Sequence, residues 1–133
     1  MRILGLTLNP AIGDSGAESL ARGLRSNTHL VSLNLRGTIF IKCSIGSAGA
    51  MALGDALRAN STLENLCLDC NKITAQGADA LASGLEGKTG LTYVSLQGND
   101  LGFADLNRFN SRVSAHRREL LSSNLRESAL HGA

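Results

Sequence analysis

The stretch LENLCLDCNKITAQGADALASGLEGKTG, residues 63–90, carries two hydrophobic periods within 28 residues. In its first part Leu66 and Leu68 alternate with polar neighbours, which is typical of a short strand buried on one face. In its second part Ala78, Leu81 and Leu85 are spaced i, i+3 and i+7, so they share one face of a helix. The stretch therefore predicts a strand followed by a helix.

This strand-helix unit recurs along the chain. The pattern I-x-x-x-G-A-x-x-L-x-x-x-L starts at Ile12, Ile45 and Ile73, and strand-like segments start at residues 3, 30, 63 and 91. A single unit buries too little apolar surface to offset its ordering entropy, so neighbouring units must stack. Strands joined through helices run parallel. The sequence predicts an α/β solenoid, a short horseshoe arc with strands on its concave face and helices on its convex face.

Polar residues mark the turns of each unit. Asn71 and Asn99 follow the strands, where a buried carboxamide can bond backbone groups of its own turn and of the adjacent turn. Asn27 and Asn60 follow the helices and suit the turn into the next strand. The predicted helix N-caps are Asp14, Ser47 and Thr74.

The repeats predict a domain over residues 1–113, made of four units at 3–29, 30–62, 63–90 and 91–113. No fifth strand follows, and the leucines after residue 113 are scattered among arginines. We therefore expect residues 114–133 to form either a cap helix or a disordered tail.

The aligned columns Gly16/Gly49/Gly77 and Leu20/Leu53/Leu81 resemble those of ribonuclease-inhibitor-type leucine-rich repeats. This long repeat class occurs in ribonuclease inhibitor, in the Ran GTPase-activating protein and in the C-terminal domains of NOD-like receptors. The resemblance covers residues 3–102. It implies a horseshoe that binds other proteins, usually on the concave face.

Two repeats depart from the pattern. The first is one residue short between Leu8 and Ile12, with Pro10 near the asparagine position, and no strand precedes it. Its open edge indicates either a fragment of a longer chain or pairing, including self-association, at that edge. The second repeat has five extra residues between Leu35 and Ile45. This insertion either folds over the edge of the core or presents an apolar contact made of Ile39, Phe40 and Ile41.

The outward strand positions form a grid, with the three residues of each strand aligned in order: Gly5, Thr7 and Asn9; Ser32, Asn34 and Arg36; Asn65, Cys67 and Asp69; Tyr93, Ser95 and Gln97. Arg36 and Asp69 are predicted neighbours that can pair in the free protein. Tyr93 is the aromatic anchor of this polar surface. The predicted partner-binding residues are Arg36, Ile39, Phe40, Ile41, Asn65, Asp69, Tyr93 and Gln97.

The remaining sequence features indicate no catalytic, redox or metal-binding chemistry. Cys67 and Cys70 form C-x-x-C on a strand and its exit, whereas a metal needs about four ligands and a redox motif starts a helix. No phosphate-binding loop or metalloprotease motif occurs, so we expect no cofactor and no metal. The odd count of three cysteines favours a reducing cytosol or nucleus over secretion, and we expect a cytoplasmic location. The net charge of +2 is too small to indicate nucleic acid, and no apolar run is long enough for a membrane span.

These observations predict a non-enzymatic protein-interaction scaffold that binds a partner through the concave face or through the insertion in the second repeat. Two alternatives come from the resemblance. One is a GTPase activator of the Ran-activating type, which would position the catalytic groups of the GTPase itself. The other is a fragment of a NOD-like receptor sensor.

Overall fold

The computed structural model describes residues 2–38, 44–87 and 89–131. Strands and helices alternate through these ranges, as the two hydrophobic periods predict. The elements are β1 (Ile3–Gly5), α1 (Gly13–Ser26), β2 (Ser32–Asn34), α2 (Ser47–Ala59), β3 (Asn65–Cys67), α3 (Ala75–Gly84), β4 (Tyr93–Ser95) and α4 (Phe103–His131).

The four strands form one parallel sheet in the order β1-β2-β3-β4. The inward leucines of the sheet and the apolar faces of the helices meet in a continuous core between the two layers. Leu66, Leu68 and Leu81 are fully buried there, and Ala78 and Leu85 are buried beside them. The predicted α/β leucine-rich-repeat arc is confirmed, with each helix returning the chain to the start of the next parallel strand.

The predicted alignment of the first strand is wrong by two residues. Ile3, not Gly5, lies opposite Ser32, and Gly5 lies opposite Asn34. Asn9 consequently leaves the outward grid and takes the asparagine position after the strand, where its Nδ2 donates to the carbonyl of Thr7 at 3.2 Å. The physical reason is that the leucines of this strand alternate without a break, so the pattern alone fits two registers.

Asparagines that follow the strands join consecutive repeats, as predicted. The Nδ2 of Asn71 donates to the carbonyl oxygens of Leu35 and Leu68 at 3.0 and 3.1 Å, and its Oδ1 accepts from Ile45 N at 3.2 Å. Asn99 makes the equivalent bond in the next repeat, where its Nδ2 donates to the carbonyl of Leu68 at 2.9 Å. Each carboxamide thus satisfies backbone groups of two neighbouring repeats.

Two of the three predicted N-caps, Asp14 and Ser47, are wrong, because Ile12 and Gly46 occupy those positions. Asp14 lies inside the first turn of α1, and its Oδ1 accepts from Gly46 N and Gly49 N at the start of α2, at 2.8 Å each. Ser47 lies inside α2, and its Oγ is 2.6 Å from Oγ1 of Thr74, the N-cap residue of α3. Because parallel helices bring their N-termini side by side, Asp14 and Ser47 bond the start of the next helix rather than that of their own. Thr74 occupies the N-cap position predicted for it.

Helix α4 covers the outer edge of the fourth repeat. Phe109 and Val113 are buried, and the Nε of Arg117 donates to the carbonyl of Thr92, just before β4, at 2.8 Å. The helix continues without interruption through residue 113, the predicted boundary of the cap, and every described side chain from Leu121 onward is exposed. Strand β1 forms the other edge of the sheet.

Candidate protein-binding surface

The outward strand positions form one polar face, which we call the concave face. In one row Asn65 is half-buried and its neighbour Tyr93 has 48% of its surface exposed. Four residues further along the strands, Arg36 and Gln97 are exposed on either side of Asp69. The structure therefore brings five of the predicted partner-binding residues onto one face. The other three, Ile39, Phe40 and Ile41, lie outside the described residues.

Asp69 departs from the expected exposed position, since only 9% of its surface is accessible. Its Oδ1 accepts from Ser95 Oγ at 2.5 Å and from the backbone N–H of Gln97 at 2.8 Å, which ties β3 to β4. Arg36 is its neighbour in the row, because Gly37 N bonds the Asp69 carbonyl. Among the residues described, however, no cation forms an ion pair with Asp69. The predicted Arg36–Asp69 pair is replaced by the two donors of β4.

Cys67 lies on strand β3, and Cys70 lies at the bend that follows it. Burial raises the pKa of the Cys67 thiol above its ordinary value, and the adjacent Asp69 carboxylate reinforces this shift. Cys70 is buried with φ at 57°, and Leu8 and Gly98 have φ at 60° and 70° at the equivalent bends. Both thiols are free. No group of three or more metal-ligating side chains occurs within residues 2–38, 44–87 and 89–131.

A groove lies where the concave face meets α4, and we call it the β4–α4 groove. Its volume is about 370 Å³. Asp69 and Tyr93 line it from the sheet, and Asn110, Ser114 and Arg117 line it from the helix. The groove brings a carboxylate and an aromatic ring of the sheet together with a guanidinium of the helix, so it can hold an extended segment with polar side chains.

The helical wall of this groove was missed by the sequence analysis, which expected only a cap helix or a disordered tail over residues 114–133. The available signal was the spacing: Arg117 follows the buried Val113 by four residues, so both lie on the side of α4 that meets the repeats.

In the described part of the chain, no helix combines the length and hydropathy that crossing a bilayer requires.

Comparisons with known proteins agree with this architecture. A family model described as "Leucine Rich repeat" matches residues 1–21 and 59–82. No curated protein sequence matches the chain. Among solved structures, "Leiomodin-1 Actin-Binding Site 2 (ABS2)" superposes with a TM-score of 0.72 at 18% identity, over 99% of this chain and 87% of that chain. The repeat pattern, the family match and this likeness together define a leucine-rich-repeat fold.

Proposed function

We propose that this leucine-rich-repeat chain is a non-catalytic protein-interaction module that binds its partner at the concave face and in the β4–α4 groove. The observation that carries the proposal is Tyr93, an aromatic side chain with 48% exposure on a rigid strand. Large aromatic residues on preorganised surfaces contribute disproportionately to binding free energy. Around Tyr93 lie polar groups that are half-buried or exposed, as at the rim of a protein interface.

The chemistry of Cys67 gives no support to nucleophilic catalysis by this thiol. A thiol attacks as its thiolate, and the raised pKa keeps Cys67 protonated at neutral pH. The carboxylate beside it is engaged by Ser95 and Gln97. No specific contact in the described ranges favours the GTPase-activator alternative, which rests on the resemblance alone.

Three finer predictions remain part of this proposal. The chain belongs to the ribonuclease-inhibitor-type class, on the strength of its 28-residue unit. It acts in the cytoplasm, since an odd number of cysteines suits a reducing compartment. The first repeat also offers self-association as a second interaction, because Ile3 at the edge of the sheet has 71% of its surface exposed.

Actin is the first partner to test, since the leiomodin-1 structure is titled as an actin-binding site. The purified chain would be assayed against monomeric and filamentous actin by sedimentation and by fluorescence titration. We expect saturable binding that weakens about tenfold or more in Tyr93→Ala, as for a central aromatic contact. Lack of binding to either form would remove actin as the partner.

The same variants test the surface with any other partner protein. Phe103→Ala is the matched control, because it truncates an aromatic side chain that is 81% exposed at the start of α4. Equal loss of binding in Tyr93→Ala and Phe103→Ala, or no loss in either, would show that the concave face does not carry the interaction.

A further inference from the structure

We infer that the β4–α4 groove receives a lysine or arginine side chain of the partner protein, with its cation at the carboxylate of Asp69 and its aliphatic stem along Tyr93. This inference rests on the proposed function and specifies the chemistry of the partner. It concerns one anchoring contact within the larger surface.

The first argument is the unbalanced charge of Asp69. Asp69 is only 9% exposed, and Ser95 Oγ and Gln97 N–H, which donate to its carboxylate, are both neutral. No Lys, Arg or His of the described residues forms an ion pair with it. A buried carboxylate without a counter-ion is unfavourable, whereas a cation that reaches it forms a strong charge-assisted hydrogen bond. Asp69 also lines the groove, so a partner side chain can reach it.

The second argument is the shape and lining of the groove. Its volume of about 370 Å³ exceeds what one extended side chain requires and falls in the range of small-ligand pockets. Tyr93 lines it with 48% of its surface exposed, and Val94 and Val113 contribute apolar surface. Lysine and arginine have long aliphatic stems that pack on such surfaces while their charged ends reach polar groups. An aromatic ring adds a favourable interaction with a cation.

The third argument is the separation of charges along the groove. Arg117 is held at the start of β4 by its bond to the Thr92 carbonyl, whereas Asp69 bonds Gln97 beyond the end of β4. The other donor to Asp69, Ser95, is three residues from Thr92, so the two ends of the groove lie on the order of 10 Å apart along the strand. The guanidinium therefore leaves the acidic end open to a cation, and it favours an acidic residue of the same partner segment at the other end.

Peptide pools test the inference directly. Four pools of seven-residue peptides, with lysine, arginine, norleucine or glutamate fixed at the centre and mixed residues elsewhere, would be titrated into the ¹⁵N-labelled chain. We expect the lysine and arginine pools to shift the amide signals of Asp69 and Gln97 saturably. Norleucine has a similar stem without the charge, so its pool should bind at least tenfold more weakly. Equal shifts with the norleucine or glutamate pool would overturn the inference.

Two variants separate charge from shape. Asp69→Asn retains an oxygen that can accept from Ser95 and Gln97, so it should remain folded and lose at least tenfold in affinity for the lysine pool. Asn110→Lys places a cation in the groove from α4 and should block the pool to a similar extent. Asn107→Lys makes the same change one turn earlier, outside the groove, and should alter affinity less than twofold.

The outcomes also separate this inference from the proposed function. If Tyr93→Ala abolishes partner binding while no pool depends on Asp69, the interaction module stands and the cation contact is wrong. If the lysine pool binds in an Asp69-dependent manner but no partner requires Tyr93, the proposed surface is wrong. Circular dichroism of each variant verifies that the fold is retained.

Discussion

At the scale of single residues, Asn71 determines how two repeats join. Its side chain is fully buried and bonds backbone groups of Leu35, Leu68 and Ile45. Asn71→Ala leaves these groups without a partner, at about 1–3 kcal/mol for each buried polar group. We expect a loss of roughly 3 kcal/mol or more in the free energy of unfolding, measured by urea denaturation, out of the ~5–15 kcal/mol typical of a domain.

Asn9→Ala is the matched control for this change. Asn9 occupies the equivalent position in the first repeat, but it is exposed and donates one bond, to the carbonyl of Thr7. An exposed substitution of this kind changes stability by about 0.5 kcal/mol or less. Comparable losses in Asn9→Ala and Asn71→Ala would show that the buried position is not what makes the asparagine important.

Cys67 gives a prediction for the dependence of stability on pH. Burial raises the pKa of its thiol in the folded protein, so the folded state keeps the proton at pH values where the unfolded chain has lost it. Its contribution is complete below the ordinary thiol pKa of about 8.5 and is lost as the pH rises through the folded value. We expect the stability of the native chain to fall more steeply above about pH 8.5 than that of Cys67→Ala. Urea midpoints at a series of pH values test this. A constant difference up to pH 10 would contradict it.

Some of these side-chain roles could be predicted from the sequence, and others could not. The hydrogen bonds of Asn71 and Asn99 could be predicted from their position after each strand. Their partners are backbone groups of the turn, which are present whatever side chains the neighbouring repeat carries. The inward bonds of Asp69 depend instead on the donors that Ser95 and Gln97 of the next strand supply. Repeat position gives the row of a residue, but the direction of its side chain depends on which donors lie closest.

At the scale of elements, glycine allows α2 and α3 to approach closely. A Cβ atom added to Gly54 would lie 2.5 Å from the carbonyl oxygen of Ala80 in α3. Backbone atoms cannot move aside as a flexible side chain can, so Gly54→Ala forces the helices apart. We expect a loss of about 1–3 kcal/mol, the usual effect of overpacking a close contact. Chemical denaturation followed by circular dichroism measures it.

Gly23→Ala makes the same substitution where there is room. Gly23 lies in α1 near its end, and an added Cβ has no neighbour within 4 Å. Alanine is the better helix former, so we expect this variant to gain about 0.5–1 kcal/mol. Opposite signs for the two variants would establish that contact between helices, and not helix propensity, decides the effect. A gain in Gly54→Ala would contradict the close approach.

The strand-helix alternation was predictable because the two hydrophobic periods are distinct within each repeat. The capping by Asp14 was not predictable, because its Oδ1 accepts from the backbone N–H groups of Gly46 and Gly49 at the start of the next helix. A local motif places an acidic residue near a helix start without telling which helix it stabilises. That information exists only once the repeats are stacked.

At the scale of the whole molecule, the repeats define the arc and the two ends are less well determined by sequence. The register of β1 fitted two alignments, and the choice is made by its pairing with β2. The first half of helix α4 packs on the repeats through the buried Phe109 and Val113, whereas its second half is exposed, so one apolar pattern does not run through it. Repetition constrains the interior of a solenoid, whereas its ends obey no internal template.

This division of α4 gives a prediction for truncated chains. Side chains from Ser122 to His131 are exposed. Removal of exposed residues has a small effect, so a chain ending at Leu121 should have a free energy of unfolding within about 1 kcal/mol of that of the full chain. A chain ending at Asn107 also lacks Phe109 and Val113, which are 3% and 4% exposed against the fourth repeat. Their loss uncovers the core beside β4, and we expect several kcal/mol of destabilisation together with self-association. Thermal unfolding and light scattering distinguish the two chains. A large loss on ending at Leu121 would instead mean that the distal helix stabilises the fold through contacts with another copy, because the exposed residues make few contacts within their own chain.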